Sequence, residues 1–241
     1  MQIWILIIVV ILLIWALFDK QYRCKFLTGY QASRFVLADP DRYHANMSKE
    51  DLVARNFGVP IDRKGYTRTV AEVCTDFTPE ERRTLMVAAR NADARIRKIP
   101  GPPEINRNKL VEIPWIFAKT HGNKCENGFP HTRSDFIFVT PDVIASPRLT
   151  NVLIHEKIHL YQRNNPAAVR NLARRMGYVP WRRKEQTDRL RSNPDEDEWI
   201  YKTRDGRVAS LSYASDRPMS LLDVKGLAHP YEVQAYALEG K

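Results

Sequence analysis

Residues 152–161 read V-L-I-H-E-K-I-H-L-Y, and this stretch constrains the chain more than any other. The two histidines have helical spacing: on an α-helix His155 and His159 stand one turn apart on the same face, so both imidazoles can reach one metal ion. Glu156, beside the first histidine, can then face a metal-bound water. Ser146 as N-cap and Pro147 at the first helical position predict a helix from about Pro147 to Arg163, stopped by N-N-P. Val152, Leu153 and Ile154 precede the motif and Leu160 and Tyr161 follow it, so the helix should be packed into a core.

The flanking sequence supplies the scaffold. Thr78-Pro79-Glu80-Glu81 predicts a capping box with proline at the first helical position. The apolar side of that helix continues through Leu85, Met86, Ala89, Ala92 and Ile96, and Pro100-Gly101-Pro102-Pro103 ends it. Ile113 to Ala118 and Asp135 to Thr140 read as strands that could pair as an antiparallel hairpin around a long functional loop. A helix is expected from Ala167 to Met176, with Gly177 as its stop. Trp199–Lys202 should pair with Arg207–Tyr213 across Asp205-Gly206, and Pro230 opens a short C-terminal helix.

From Ile3 to Phe18 every residue is apolar, with Trp4 and Trp15 near the two ends. This run predicts an uncleaved transmembrane anchor over residues 1–18; a signal peptide fits less well, since no Lys or Arg precedes the run and no small-x-small cleavage site follows it. Lys20, Arg23 and Lys25 then place the body on the cytoplasmic side, tethered as a single-pass membrane protein whose N-terminal helix contacts lipid. Cys24, Cys74 and Cys125 form no C-x-x-C pair, which suits a reducing compartment and argues against zinc held by cysteine. The formal net charge of +10 fits an anionic leaflet or nucleic acid. The arginines from 170 to 191 read as a solvated face, with the binding of an anionic partner as the alternative, and without a zinc finger, helix-turn-helix or RNP signature no specific nucleic acid is expected.

A catalytic zinc site takes three protein ligands and leaves one position open. Glu232, in H-P-Y-E-V-Q-A-Y, is the best third ligand; His229 is the rival, and Asp195, Asp197 and Glu198 are weaker. Together, His155-Glu156-x-x-His159 and the later Glu232 resemble the gluzincin branch of zinc metallopeptidases, over about residues 111–241. The resemblance implies that His155, His159 and Glu232 bind one Zn²⁺ and that Glu156 acts as general base. Lys157 stands where that family usually has an uncharged residue, and Glu232 follows His159 at a distance of 73 positions. Tyr236, Tyr231 and His229, with Tyr201 and Tyr213 behind them, are candidate oxyanion stabilisers. By the same likeness Phe136, Ile137 and Phe138 would bind substrate as an added β-strand through their main chain, and His131 could face the cleft.

The expected architecture is an α+β, zincin-like domain over 61–241. Its H-E-x-x-H helix would lie beside a small antiparallel or mixed sheet, preceded by the transmembrane helix and a juxtamembrane connecting segment at 19–60. The expected activity is hydrolysis of peptide bonds in a peptide or protein substrate. The rival is a non-catalytic, membrane-tethered structural or adaptor protein with a degenerate zincin-like fold.

Overall fold

The structure, a computed structural model, describes residues 24–185 and 188–239. Four strands, β1 (Cys24–Phe26), β2 (Trp115–Lys119), β3 (His131–Arg133) and β4 (Phe136–Val139), form one sheet in the order β1-β2-β4-β3. Successive side chains of a strand point to opposite faces, and that alternation sets the layers. Phe117, Ile137 and Val139 enter one apolar cluster, whereas Ala118 and Phe138 enter another on the opposite side. The second side is covered by α1 (Gly29–Ala38) and α3 (Arg63–Glu72), through Ala32, Val36, Tyr66, Val70 and Ala71; α2 (Lys49–Arg55) lies between them in the chain.

The first side is covered by α4 (Pro79–Ile96), α5 (Arg107–Glu112), α6 (Pro141–Ile144), α7 (Leu149–Asn164), α8 (Pro166–Arg175) and α9 (Pro230–Leu238). The predicted capping box is present at α4. Glu81 N–H donates to Thr78 Oγ1 at 3.1 Å, and Thr78 N–H donates to Glu81 Oε2 at 2.7 Å. Two smaller sheets complete the body: β5 (Tyr178–Arg183), β6 (Trp199–Thr203) and β7 (Val208–Ala209) in one, β8 (Leu211–Tyr213) and β9 (Val224–Gly226) in the other. The turn between β6 and β7 uses Gly206 at φ 84°, as the Asp-Gly pair predicts.

Several expectations are corrected. β2 and β4 run parallel, not as an antiparallel hairpin. The antiparallel partner of β4 is β3, reached by a tight turn in which Ser134 takes φ 49°. Residues 24–60 are not a connecting segment, because β1 pairs with β2 in the main sheet and α1 seals its far face. Arg207–Tyr213 is divided: β7 pairs with β6, and β8 turns away to β9. The transmembrane helix expected over residues 1–18 lies outside the described residues. Among the described residues no helix is long and apolar enough to cross a membrane. Among the described residues the fold is therefore an α+β body without a membrane-spanning helix, and these residues give the single-pass membrane location no support.

Candidate metal centre

The histidine helix is deeply enclosed in the body. α7 packs on α4 and α9, and Leu153, Ile154, Ile158, Leu160 and Tyr161 are all buried. It begins at Leu149, two residues later than Pro147, after a turn in which Arg148 N–H donates to Ser146 Oγ. Lys157, within the motif, is wholly enclosed. Its Nζ reaches Asp93 Oδ1 on α4 at 2.6 Å and the Val111 carbonyl at 3.1 Å, and lies 4.1 Å from the centre of the Trp115 ring. That ion pair fixes the rotation of α7, so the opposite face presents His155 and His159.

α9 brings the third group. His155, His159 and Glu232 each direct one ligand atom into a common space, all within 4.8 Å of one another, and together they could hold a metal ion. The two Nε2 atoms are 3.0 Å apart, and Glu232 stands 3.4 Å from the first and 3.7 Å from the second. Gln162 ties the helices together. Its Oε1 accepts from His159 Nδ1 at 2.7 Å, while its Nε2 donates to the Tyr231 carbonyl and to Gln234 Oε1. His155 Nδ1 in turn donates to Glu239 Oε2 at 2.9 Å.

These partners fit the residues to a cation. With each Nδ1 proton donated outward, both Nε2 lone pairs point inward, and lone pairs 3.0 Å apart repel unless a positive charge lies between them. Burial opposes charging His155, yet the hydrogen bond to Glu232 and the charges of Glu156, Glu232 and Glu239 raise its pKa to about 9. Glu232 is held well below the usual carboxylate range against its own burial, chiefly by His159 and His155. The site thus stabilises positive charge at its centre. Asn193 Nδ2 fixes the other side of Glu232, donating to Oε1 at 2.5 Å.

Glu156 is 3% exposed, and its Oε2 has no hydrogen-bond partner. Burial, then the charges of Asp195 and Glu232, push its carboxyl well above the usual range; a cation among the three ligands would draw it back by Coulomb attraction. The carboxyl borders a cleft of about 470 Å³, which is also lined by His155, Glu232, Tyr236, Arg191 and Asn193. Tyr236 sits one turn after Glu232, with its ring 4.6 Å from that of His155, so of the tyrosines considered it is the one on the cleft wall.

Other sequence candidates fall elsewhere. His229 is fully buried: its Nδ1 accepts the Tyr231 N–H, and its Nε2 faces the Trp199 carbonyl and Asp197. Tyr231 meets its ring edge-on and lies tilted against Tyr201, whose hydroxyl donates to Asp197, and Tyr213 donates to Asp51. None of these is a cleft oxyanion donor. Asp195 lines the cleft but bonds to Thr132, while Asp197 and Glu198 lie outside the ligand cluster. His131 lines the cleft, buried, with Nδ1 on the Phe129 carbonyl and its ring stacked on Phe138.

Phe136, Ile137 and Phe138 are corrected as a substrate strand. Their side chains pack in the two cores, and β4 is paired on both edges, to β2 and to β3. Gln162, Asn193 and Glu239 were missed. Gln162, three positions after His159, carried the only sequence signal, a polar residue on the buried side of the motif helix.

Comparison with known proteins gives no match to this chain among family models, curated proteins or solved structures.

Proposed function

We propose that this protein is a zinc-dependent peptidase of gluzincin type. One observation carries the reading: the ligand atoms of His155, His159 and Glu232 lie within 4.8 Å of one another, beside the cleft-lining Glu156, one of whose carboxyl oxygens has no hydrogen-bond partner. Two imidazole nitrogens and one carboxylate oxygen are a borderline-soft, three-donor set, which suits zinc and leaves a position for water or substrate.

Bound there, zinc supplies Lewis-acid polarisation of the scissile carbonyl and acidifies water. Glu156 accepts a proton from the attacking water and returns it to the leaving amine. Its burial keeps that proton from bulk solvent. Tyr236, which lines the cleft, is the candidate donor to developing negative charge on the carbonyl oxygen. Glu239 and Gln162 hold the two imidazoles in the tautomer that leaves Nε2 free to ligate.

The test is metal analysis of the purified chain with a peptide-hydrolysis assay, repeated for Glu156→Gln. One zinc per chain in both proteins, with hydrolysis only by the wild type, supports the reading. Absence of stoichiometric zinc after reconstitution sinks it, and zinc without hydrolysis points instead to the adaptor.

A further inference from the structure

Resting on the peptidase reading, we propose that the cleft takes the C-terminal end of a peptide and that Arg191 receives its α-carboxylate. The first support is a closed edge. β3 is the outer strand beside α7, where a passing peptide would add as a further strand. Its middle residue is already satisfied: the Thr132 N–H donates to Asp195 Oδ1 at 2.9 Å, and the Thr132 carbonyl accepts from Arg163 Nη2 at 3.3 Å.

The segment that closes this edge, residues 191–195, is tied down along its length. The Ser192 N–H donates to Asp51 Oδ1 at 2.8 Å, and the Ser192 carbonyl accepts from Arg55 Nη2 at 2.7 Å. Asn193 bonds to Glu232, and Asp195 to Thr132. A substrate in the cleft therefore meets a fixed wall beside the ligand cluster, where an extended main chain cannot continue along β3.

That wall begins with an arginine. Arg191 is half-buried and lines the cleft, and among the described residues its guanidinium makes no ion pair or side-chain hydrogen bond. Arg148, the other arginine on the cleft, is engaged with Glu239 at 3.2 Å. Arg191 lines the same cleft as Glu232 and Tyr236, which places it beside the ligand cluster. A guanidinium has a planar fork matched to a carboxylate and stays charged when partly desolvated. A terminal carboxylate fits the closed end; an acidic side chain would leave the main chain to run on through the wall. The volume, about 470 Å³, suits a short peptide segment.

The experiment uses the full chain carrying Glu156→Gln, loaded with zinc, and measures peptide binding by isothermal titration. Three peptides are compared: the free acid, the C-terminal amide of the same sequence, and an amide whose last residue is replaced by glutamate. The free acid should bind about 10–100-fold more tightly than either amide, the size of a charge-assisted hydrogen bond. Adding Arg191→Gln should bring the three within about threefold, while Arg191→Lys keeps part of the preference; melting curves verify that each variant is folded.

No binding of the free acid, equal binding of free acid and plain amide, or a preference that survives Arg191→Gln overturns the proposal. So does an amide ending in glutamate that binds as tightly as the free acid. Hydrolysis of the same peptides by the wild type separates the two levels. Hydrolysis without carboxylate preference removes the role of Arg191 and leaves the peptidase, whereas preference in binding without hydrolysis removes the peptidase and leaves the role of Arg191.

Discussion

Replacing Asp93 by alanine tests what holds the histidine helix in place. The change leaves the enclosed Lys157 ammonium with the Val111 carbonyl and the Trp115 ring, and takes from Trp115 Nε1–H the Asp93 Oδ2 acceptor that stands at 3.1 Å. Removing one partner of a buried ion pair costs about 3–5 kcal/mol, because the other charge is left behind. The orphaned indole N–H adds about 1–3 kcal/mol. Lys157 can limit the first loss by shedding its proton, since burial already draws its pKa below the usual lysine value. With a net loss of about 4 kcal/mol and about 2–4 °C per kcal/mol in a chain of this size, Tm falls by roughly 8–16 °C. Thermal unfolding followed by circular dichroism reads this directly. Asp93→Leu combined with Lys157→Met should recover the ion-pair part of the loss, since buried pairs replaced by apolar groups are often neutral. A single-variant fall of less than about 3 °C, or a double variant no more stable than Asp93→Ala, would refute the reasoning.

Acid should weaken the fold through Glu126. Burial works against its charge, but the Arg55 guanidinium at 2.8 Å outweighs it and holds the carboxyl at about 2. A depressed carboxylate stabilises fully above the usual value near 4.5 and loses that contribution as pH falls toward 2, so urea midpoints between pH 6 and pH 3 should show a loss of about 2 kcal/mol that is missing in Glu126→Gln. An equal pH dependence in wild type and variant would contradict this assignment. At the candidate metal centre, Glu239→Gln and Asn193→Ala should each weaken affinity for the proposed zinc by about 10–100-fold while the three ligand residues are kept, measured by competition with a chelator. Unchanged affinity in both would mean that their bonds to His155 and Glu232 do not orient the ligands.

What could be read from the sequence was what short segments settle by themselves. Thr78, Pro79 and Glu81 specify a helix start within four residues, and both members of the capping box are made. His155 and His159 needed only helical spacing to share a face. Direction of strand pairing is different: Ile113–Ala118 and Asp135–Thr140 are apolar runs that pair equally well either way, and the chain between them decides. It holds β3, whose three residues, His-Thr-Arg, carry no strand signature. Cys24–Phe26 is equally short, so its place in the sheet was invisible. Glu232 could be nominated because the motif leaves a vacancy for a ligand. Asn193 and Glu239 could not, because only the folded arrangement of α7, α9 and the 191–195 segment brings them to the cluster.

The clasp between α7 and α9 also bears on when the site comes into being. Glu239, which orients His155, lies 84 residues further along the chain. At about 5–20 residues per second, roughly 4–17 s of synthesis separate the two. Through most of that interval the growing chain carries the histidine pair with neither Glu232 nor Glu239, and Gln162 has no α9 to grip. A cation arriving early finds two imidazoles on a helix whose lid has yet to be made. Tight retention of metal would therefore mark the docking of α9 on α7.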